Sequence, residues 1–151
     1  MPDHQWNEML AEASSEVLET MFFTGVMGAA QPDPADTWPR LTARLSFDGQ
    51  PSGVLTLRVS EPAARALAAN FLASEGDELP SATQLGGVAC ELANMVCGSL
   101  LSRLGSQNHF RLTSPELVSP DAGPPPEPPD QSLDLGDGVI DLWLRVDQHA
   151  V

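Results

Sequence analysis

The chain of 151 residues suits one compact domain, long enough to bury a core without disulfides or a structural metal. Twenty-one acidic residues face seven basic ones, all arginine, for a formal charge of -14. That field argues against nucleic-acid and membrane-surface binding and favours a partner with basic residues near its docking surface.

From Trp6 to about Phe23, apolar residues Met9, Leu10, Ala13, Val17, Leu18, Met21 and Phe22 recur at three- and four-residue steps. Glu8, Glu12, Ser15, Glu16 and Glu19 fall between them, the pattern of an amphipathic helix. Gly25, Gly28 and the Gln-Pro-Asp-Pro run at 31–34 supply stop signals.

Leu41 to Phe47 then alternates strictly, with Leu41, Ala43, Leu45 and Phe47 on one side. Val54 to Val59 does the same with Leu55, Leu57 and Val59 inward, and the turn chemistry between the two predicts an antiparallel hairpin. Ser60 and Pro62 open a second helix through Ala64, Leu67, Ala68 and Phe71.

The spacing predicts a third helix over about Ser81 to Leu104, closed by Gly105. Phe110 to Val118 reads as a strand in which Pro115 demands an edge or a bulge. Six prolines between Pro120 and Pro129 exclude that stretch from a sheet interior and predict an extended, solvated excursion, a passive loop or a proline-motif ligand. A last hairpin joins Leu133-Asp-Leu, through a Gly136-Asp-Gly turn, to a strand from Val139 to Val146. The order α-β-β-α-α-β-β-β predicts an α+β fold, a largely antiparallel sheet with its apolar face covered by helices, in a single domain spanning 1–151.

Arg44, Arg58 and Arg145 share the opposite sheet face with Val54, Val139 and Trp143, which reads either as an ordinary solvated face or as a self-association patch. No run of about 18 apolar residues is evident, and the start of the chain lacks the basic and apolar segments of a secretory signal, so a cytoplasmic location is expected. Cys90 and Cys97 stand about 10.5 Å apart along one helix, too far for a mutual disulfide, and read as free thiols acting as small apolar residues.

The third helix carries the chemistry. Leu85, Val88, Ala89, Leu92, Met95, Val96 and Leu100 form its packing stripe. Gln84, Gly87, Glu91, Asn94, Gly98 and Ser102 follow one another on another face at steps of three and four. Glu91 and Asn94 lie about 60° apart around the axis, a single turn from each other. Gly87 and Gly98 bracket this pair, although an interior glycine costs about 1 kcal/mol against alanine. Close approach by a second protein would justify them; so would packing beneath neighbouring helices.

Glu91-Leu-Ala-Asn94-Met-Val-Cys-Gly98 resembles the Glu-x-x-Asn-x-x-x-Gly signature of the CheC/CheX chemotaxis phosphatases, and the order of elements around it agrees. The resemblance implies a CheX-like phosphatase acting on the aspartyl phosphate of a CheY-like response-regulator receiver domain. Asn94 would orient the attacking water and Glu91 would pair with the receiver's lysine. Gly87, Gly98 and Gln84 would form the docking surface. The chain would bind no cofactor, the Mg2+ belonging to the receiver, and a homodimer is typical of CheX. CheC-type proteins often carry the signature twice. The corresponding stretch here, Glu16-Val-Leu-Glu19, has glutamate in place of the asparagine, so no activity is expected from it.

Two other classes compete. A non-catalytic adaptor of the same fold would bind a receiver or motor component and leave the phosphate's lifetime unchanged. An independent hydrolase or metalloenzyme has little to stand on, since His4, His109 and His149 are scattered and neither a nucleophile elbow nor a phosphate loop occurs.

Overall fold

The computed structural model describes residues 3–29, 40–49, 52–72, 81–103, 110–119, 125, 127–136 and 138–146. Helix α1 (Asp3–Met21) leads into a two-residue strand β1 (Gly28–Ala29). The hairpin β2 (Arg40–Asp48) and β3 (Gly53–Ser60) follows, then helices α2 (Glu61–Leu72) and α3 (Ala82–Ser102). Four strands close the chain: β4 (Arg111–Leu112), β5 (Glu116–Leu117), β6 (Gln131–Asp134) and β7 (Val139–Val146). The sheet is antiparallel in the order β1-β6-β7-β3-β2, with both β4 and β5 paired to the outer edge of β2.

The hairpin follows its alternation: Ala43, Leu45 and Phe47 on β2 stand opposite Leu57, Leu55 and Gly53 on β3, and the apolar members are buried beneath the helices. On β7, Ile140, Leu142 and Leu144 continue the same buried layer. Helix α3 lies in the middle of the helical layer, against α1 on one side, α2 on the other, and β2 and β3 below. It contributes Leu85, Gly86, Val88, Ala89, Leu92, Ala93, Val96, Cys97, Leu100 and Leu101 to the core. By length and composition α3 could also cross a membrane, a property the search for an uninterrupted apolar run missed because Glu91, Asn94 and the glycines break the run. More than half of that span is buried inside the protein, as befits a core helix.

Several expectations need correction. The predicted strand over 110–118 is two short ladders separated at Thr113 to Pro115, since proline has no N–H for the pairing and the chain must step out of register. Strand β1 went unpredicted, because two residues leave no alternation to read. Helix α1 stops earlier than its glycines suggested: Phe23 takes a left-handed φ of 54° and the Thr24 N–H donates to the Leu18 carbonyl at 2.9 Å. Met21, placed by spacing on the buried stripe, is exposed. The stop signals at 31–34, Gly105, and residues 120–124 and 126 of the proline-rich stretch lie outside the described residues.

The proline-rich stretch is also not simply solvated. Its end is fastened across β7: the Trp143 indole N–H donates to the Glu127 carbonyl at 2.8 Å, the Asp130 N–H donates to the Leu142 carbonyl at 2.8 Å, and the Leu144 N–H donates to the Asp130 carboxylate at 2.7 Å. Arg145 pairs with Glu127 at 3.2 Å and with Asp130 at 3.3 Å. Trp143 does lie on the outer face, opposite Thr56, yet it is only 4% exposed. The chain thus covers its own indole, while Arg44 on the same face stays exposed.

Candidate functional site

Ser81 opens α3 as its N-cap. Its hydroxyl accepts from the Gln84 backbone N–H at 3.1 Å, and the Gln84 side-chain oxygen accepts from the Ser81 N–H at 2.8 Å. This reciprocal pair satisfies two of the four otherwise orphaned donors and fixes where the helix begins. Gln84, expected on the docking strip, is exposed there, but its side-chain oxygen is committed to the cap.

At about 100° per residue, Gln84, Gly87, Glu91, Asn94, Gly98 and Ser102 all fall within an arc of about 80°. The burial along α3 agrees: Gln84, Gly87, Gly98 and Ser102 are exposed, and Glu91 and Asn94 are half-buried. The two functional candidates are shielded more than expected because α3 is flanked by helices on both sides, which leaves a strip rather than a full helix face open to solvent. Among the described residues neither the Glu91 carboxylate nor the Asn94 carboxamide has a hydrogen-bond or ion-pair partner.

The two strip glycines separate from the rest of the glycine set. Among the described residues, a β-carbon built on Gly87 or Gly98 meets nothing within 4 Å. Packing beneath neighbouring helices therefore does not account for either. Gly86, which spacing had not singled out, is the closely packed one: its β-carbon would come within 2.6 Å of the Leu117 side chain on β5. The strip thus presents a carboxylate and a carboxamide one turn apart, with a bare stretch of backbone on either side.

Both thiols sit on α3. Burial pushes Cys97 up to about 12, and Cys90 is raised first by burial and then by the adjacent Glu91 carboxylate. Neither forms a disulfide. Among the described residues there is no cluster of three or more His, Cys, Asp or Glu side chains able to hold a metal ion.

The stretch in α1 that corresponds to the signature is differently built. Val17 and Leu18 are buried, and Glu16 is paired with Arg103, which also reaches Glu12 at 3.4 Å. Glu12, Glu16, Glu19 and Arg103 line an open groove of about 500 Å³ with Ala11, Ser15 and Thr20. That groove is lined by no residue of the Glu91 and Asn94 strip. Its three carboxylates, with Arg103 among them, would repel a phosphoryl group.

Residues 41–126 match the sequence model of the family described as Chemotaxis phosphatase CheX. No curated protein matches the sequence. Among solved structures, the chain is similar to the chemotaxis protein CheX from Vibrio vulnificus, with a TM-score of 0.69 at 17% identity over 95% of this chain and 97% of that one. It is equally similar to the CheX of a CheX-CheY-BeF3-Mg+2 complex from Borrelia burgdorferi, with a TM-score of 0.69 at 14% identity over 95% and 98% of the two chains. A CheC-like superfamily protein from Shewanella sp. PV-4 gives 0.67 at 17% identity over 98% and 100%. The structural likenesses establish the fold, and the family match spans more than half the chain: the chain belongs to the CheX family of chemotaxis phosphatases.

Proposed function

We propose that this chain accelerates hydrolysis of the aspartyl phosphate on a CheY-like receiver domain, with Asn94 and Glu91 entering the receiver's active site. The observation that carries the reading is the open strip on α3, where both side chains lack a partner within the described chain and two glycines clear the ground beside them. A similar fold solved in a CheX-CheY-BeF3-Mg+2 complex supports a receiver as the partner.

The reaction asks little covalent chemistry of the protein. A water oxygen bonds to phosphorus as the bond to the aspartyl oxygen breaks, releasing inorganic phosphate and restoring the receiver's carboxylate. Its loose transition state makes positioning the main requirement. A carboxamide both donates and accepts hydrogen bonds and carries no charge, so Asn94 holds a water in line without repelling the phosphoryl group. Glu91, one turn away, pairs with the receiver's lysine and sets the docking register. A hundredfold acceleration needs about 2.7 kcal/mol, within reach of one positioned water and one desolvated ion pair. The Mg2+ belongs to the receiver and this chain supplies no cofactor. Residues 1–151 act as one CheX-like unit in the cytoplasm, where its substrate resides; Gly87, Gly98 and Gln84 line the contact.

The test is the decay of a phosphorylated receiver followed in time with purified variants. Asn94→Ala should abolish the acceleration while still binding, and Glu91→Ala should weaken both. If the wild-type protein binds receivers yet leaves their phosphate lifetimes unchanged, the adaptor reading replaces this one.

A further inference from the structure

We infer that Leu117, on the sheet edge, is a second contact for the receiver, setting affinity beside the strip that carries the chemistry; this rests on the function proposed above. Strand β5 pairs Leu117 with Ala43, and residues directly opposite in an antiparallel pair point to the same side of the sheet. Ala43 is fully buried under the helices, whereas Leu117, on that same side, is 51% exposed. Gly86 gives it a seat: the leucine's Cδ1 occupies the space next to the missing β-carbon, 2.6 Å from where that atom would stand, on the flank of α3.

Around the helix, Gly86 precedes Cys90 by about 40° and Asn94 by about 80°. Leu117 is therefore the flanking side chain on the Asn94 side of the strip. Gly87, the next residue along, has no side chain and open space above it, so nothing from Gly87 screens a partner on Asn94 from the leucine. Gly86, Gly87, Cys90 and Leu117 are themselves uncharged, with the Glu91 carboxylate beside Cys90 and exposed Glu116 beside Leu117. Leu117 continues the surface proposed to meet the receiver, at a point about 12 Å along the axis from Asn94. The receiver surface that fits is an apolar shoulder beside the phosphorylated pocket.

The experiment is phosphatase kinetics across a range of phosphorylated receiver concentrations. Leu117→Ser should raise KM about fivefold, the scale of losing one well-placed apolar contact, with kcat unchanged. Gly86→Ala, which displaces the leucine without altering it, should raise KM in the same direction, and Leu117→Met should restore the wild-type value. Phe23→Ser, at an even more exposed apolar site near the opposite sheet edge, should change neither constant. An active wild-type enzyme whose KM is untouched by Leu117→Ser overturns this inference alone, as does a variant that alters only self-association in sedimentation. An inactive wild type overturns it together with the function it rests on.

Discussion

Replacing both strip glycines, Gly87→Ala with Gly98→Ala, should make the protein more stable and less useful. Each sits within α3 with helical backbone, and neither β-carbon would meet another atom within 4 Å, so the substitution removes the glycine penalty and adds no clash. That penalty is about 0.8–1.0 kcal/mol per residue. The two sites are about 16 Å apart along the axis, far enough for the effects to add, for a total of about 2 kcal/mol. In a chain of this length the melting temperature should rise by about 4–8 °C. Calorimetry on the single and double variants measures the gain, and receiver dephosphorylation measures the loss, which should appear as a higher KM because two methyl groups now stand where the partner's surface approaches. A lower melting temperature would show that the space above the glycines is not open. A higher one with unaltered kinetics would show that the glycines do not serve docking.

The thiols report the same strip. Alkylation at pH 8, read by mass spectrometry, should label Cys90 slowly and Cys97 hardly at all, since burial raises both and places Cys97 near 12. Glu91→Gln should speed labelling of Cys90, because the neighbouring carboxylate is one of the two causes holding its thiol protonated; an unchanged rate would move Glu91 away from it. The fastening over Trp143 should respond to acid. Its own backbone N–H and Arg145 hold the Glu127 carboxyl below its ordinary value of 4.5, so its stabilising contribution is present above that value and is lost as pH falls through the lowered one. The indole emission should then shift to the red in acid, and Arg145→Ala should bring the shift to higher pH; an unaltered midpoint would refute the role given to the ion pairs.

How much could be read without coordinates differs by element. The hairpin of β2 and β3 was legible because Leu41 to Phe47 and Val54 to Val59 keep a two-residue period, and one face of a sheet is all that period has to encode. The strip on α3 was legible for the matching reason at a period near 3.6. The Ser81 and Gln84 capping box was available in the spacing yet was passed over, and Gln84 was placed on the strip alone. Adjacent glycines defeated the reading: Gly86 and Gly87 differ by 100° of rotation, and only the position of Leu117 tells which is packed and which is bare. Trp143 was correctly turned outward by alternation, but no local pattern announces that residues 127–130 return to cover it. That contact joins residues 14 to 16 positions apart, beyond what a strand's two-residue period encodes, and composition alone describes the proline-rich stretch as unattached.

Helix α3 lends its inner side to the core and, in the function proposed above, its outer strip to the reaction. Catalytic groups more often sit on loops, which must give up conformational freedom whenever a partner arrives. Here Glu91 and Asn94 inherit the stiffness of the protein's innermost helix, so little entropy remains to be surrendered at the encounter. If the strip is the receiver contact, accommodation falls to the other molecule, and a chain built this way would discriminate among receivers by shape already held, not by adjusting to each.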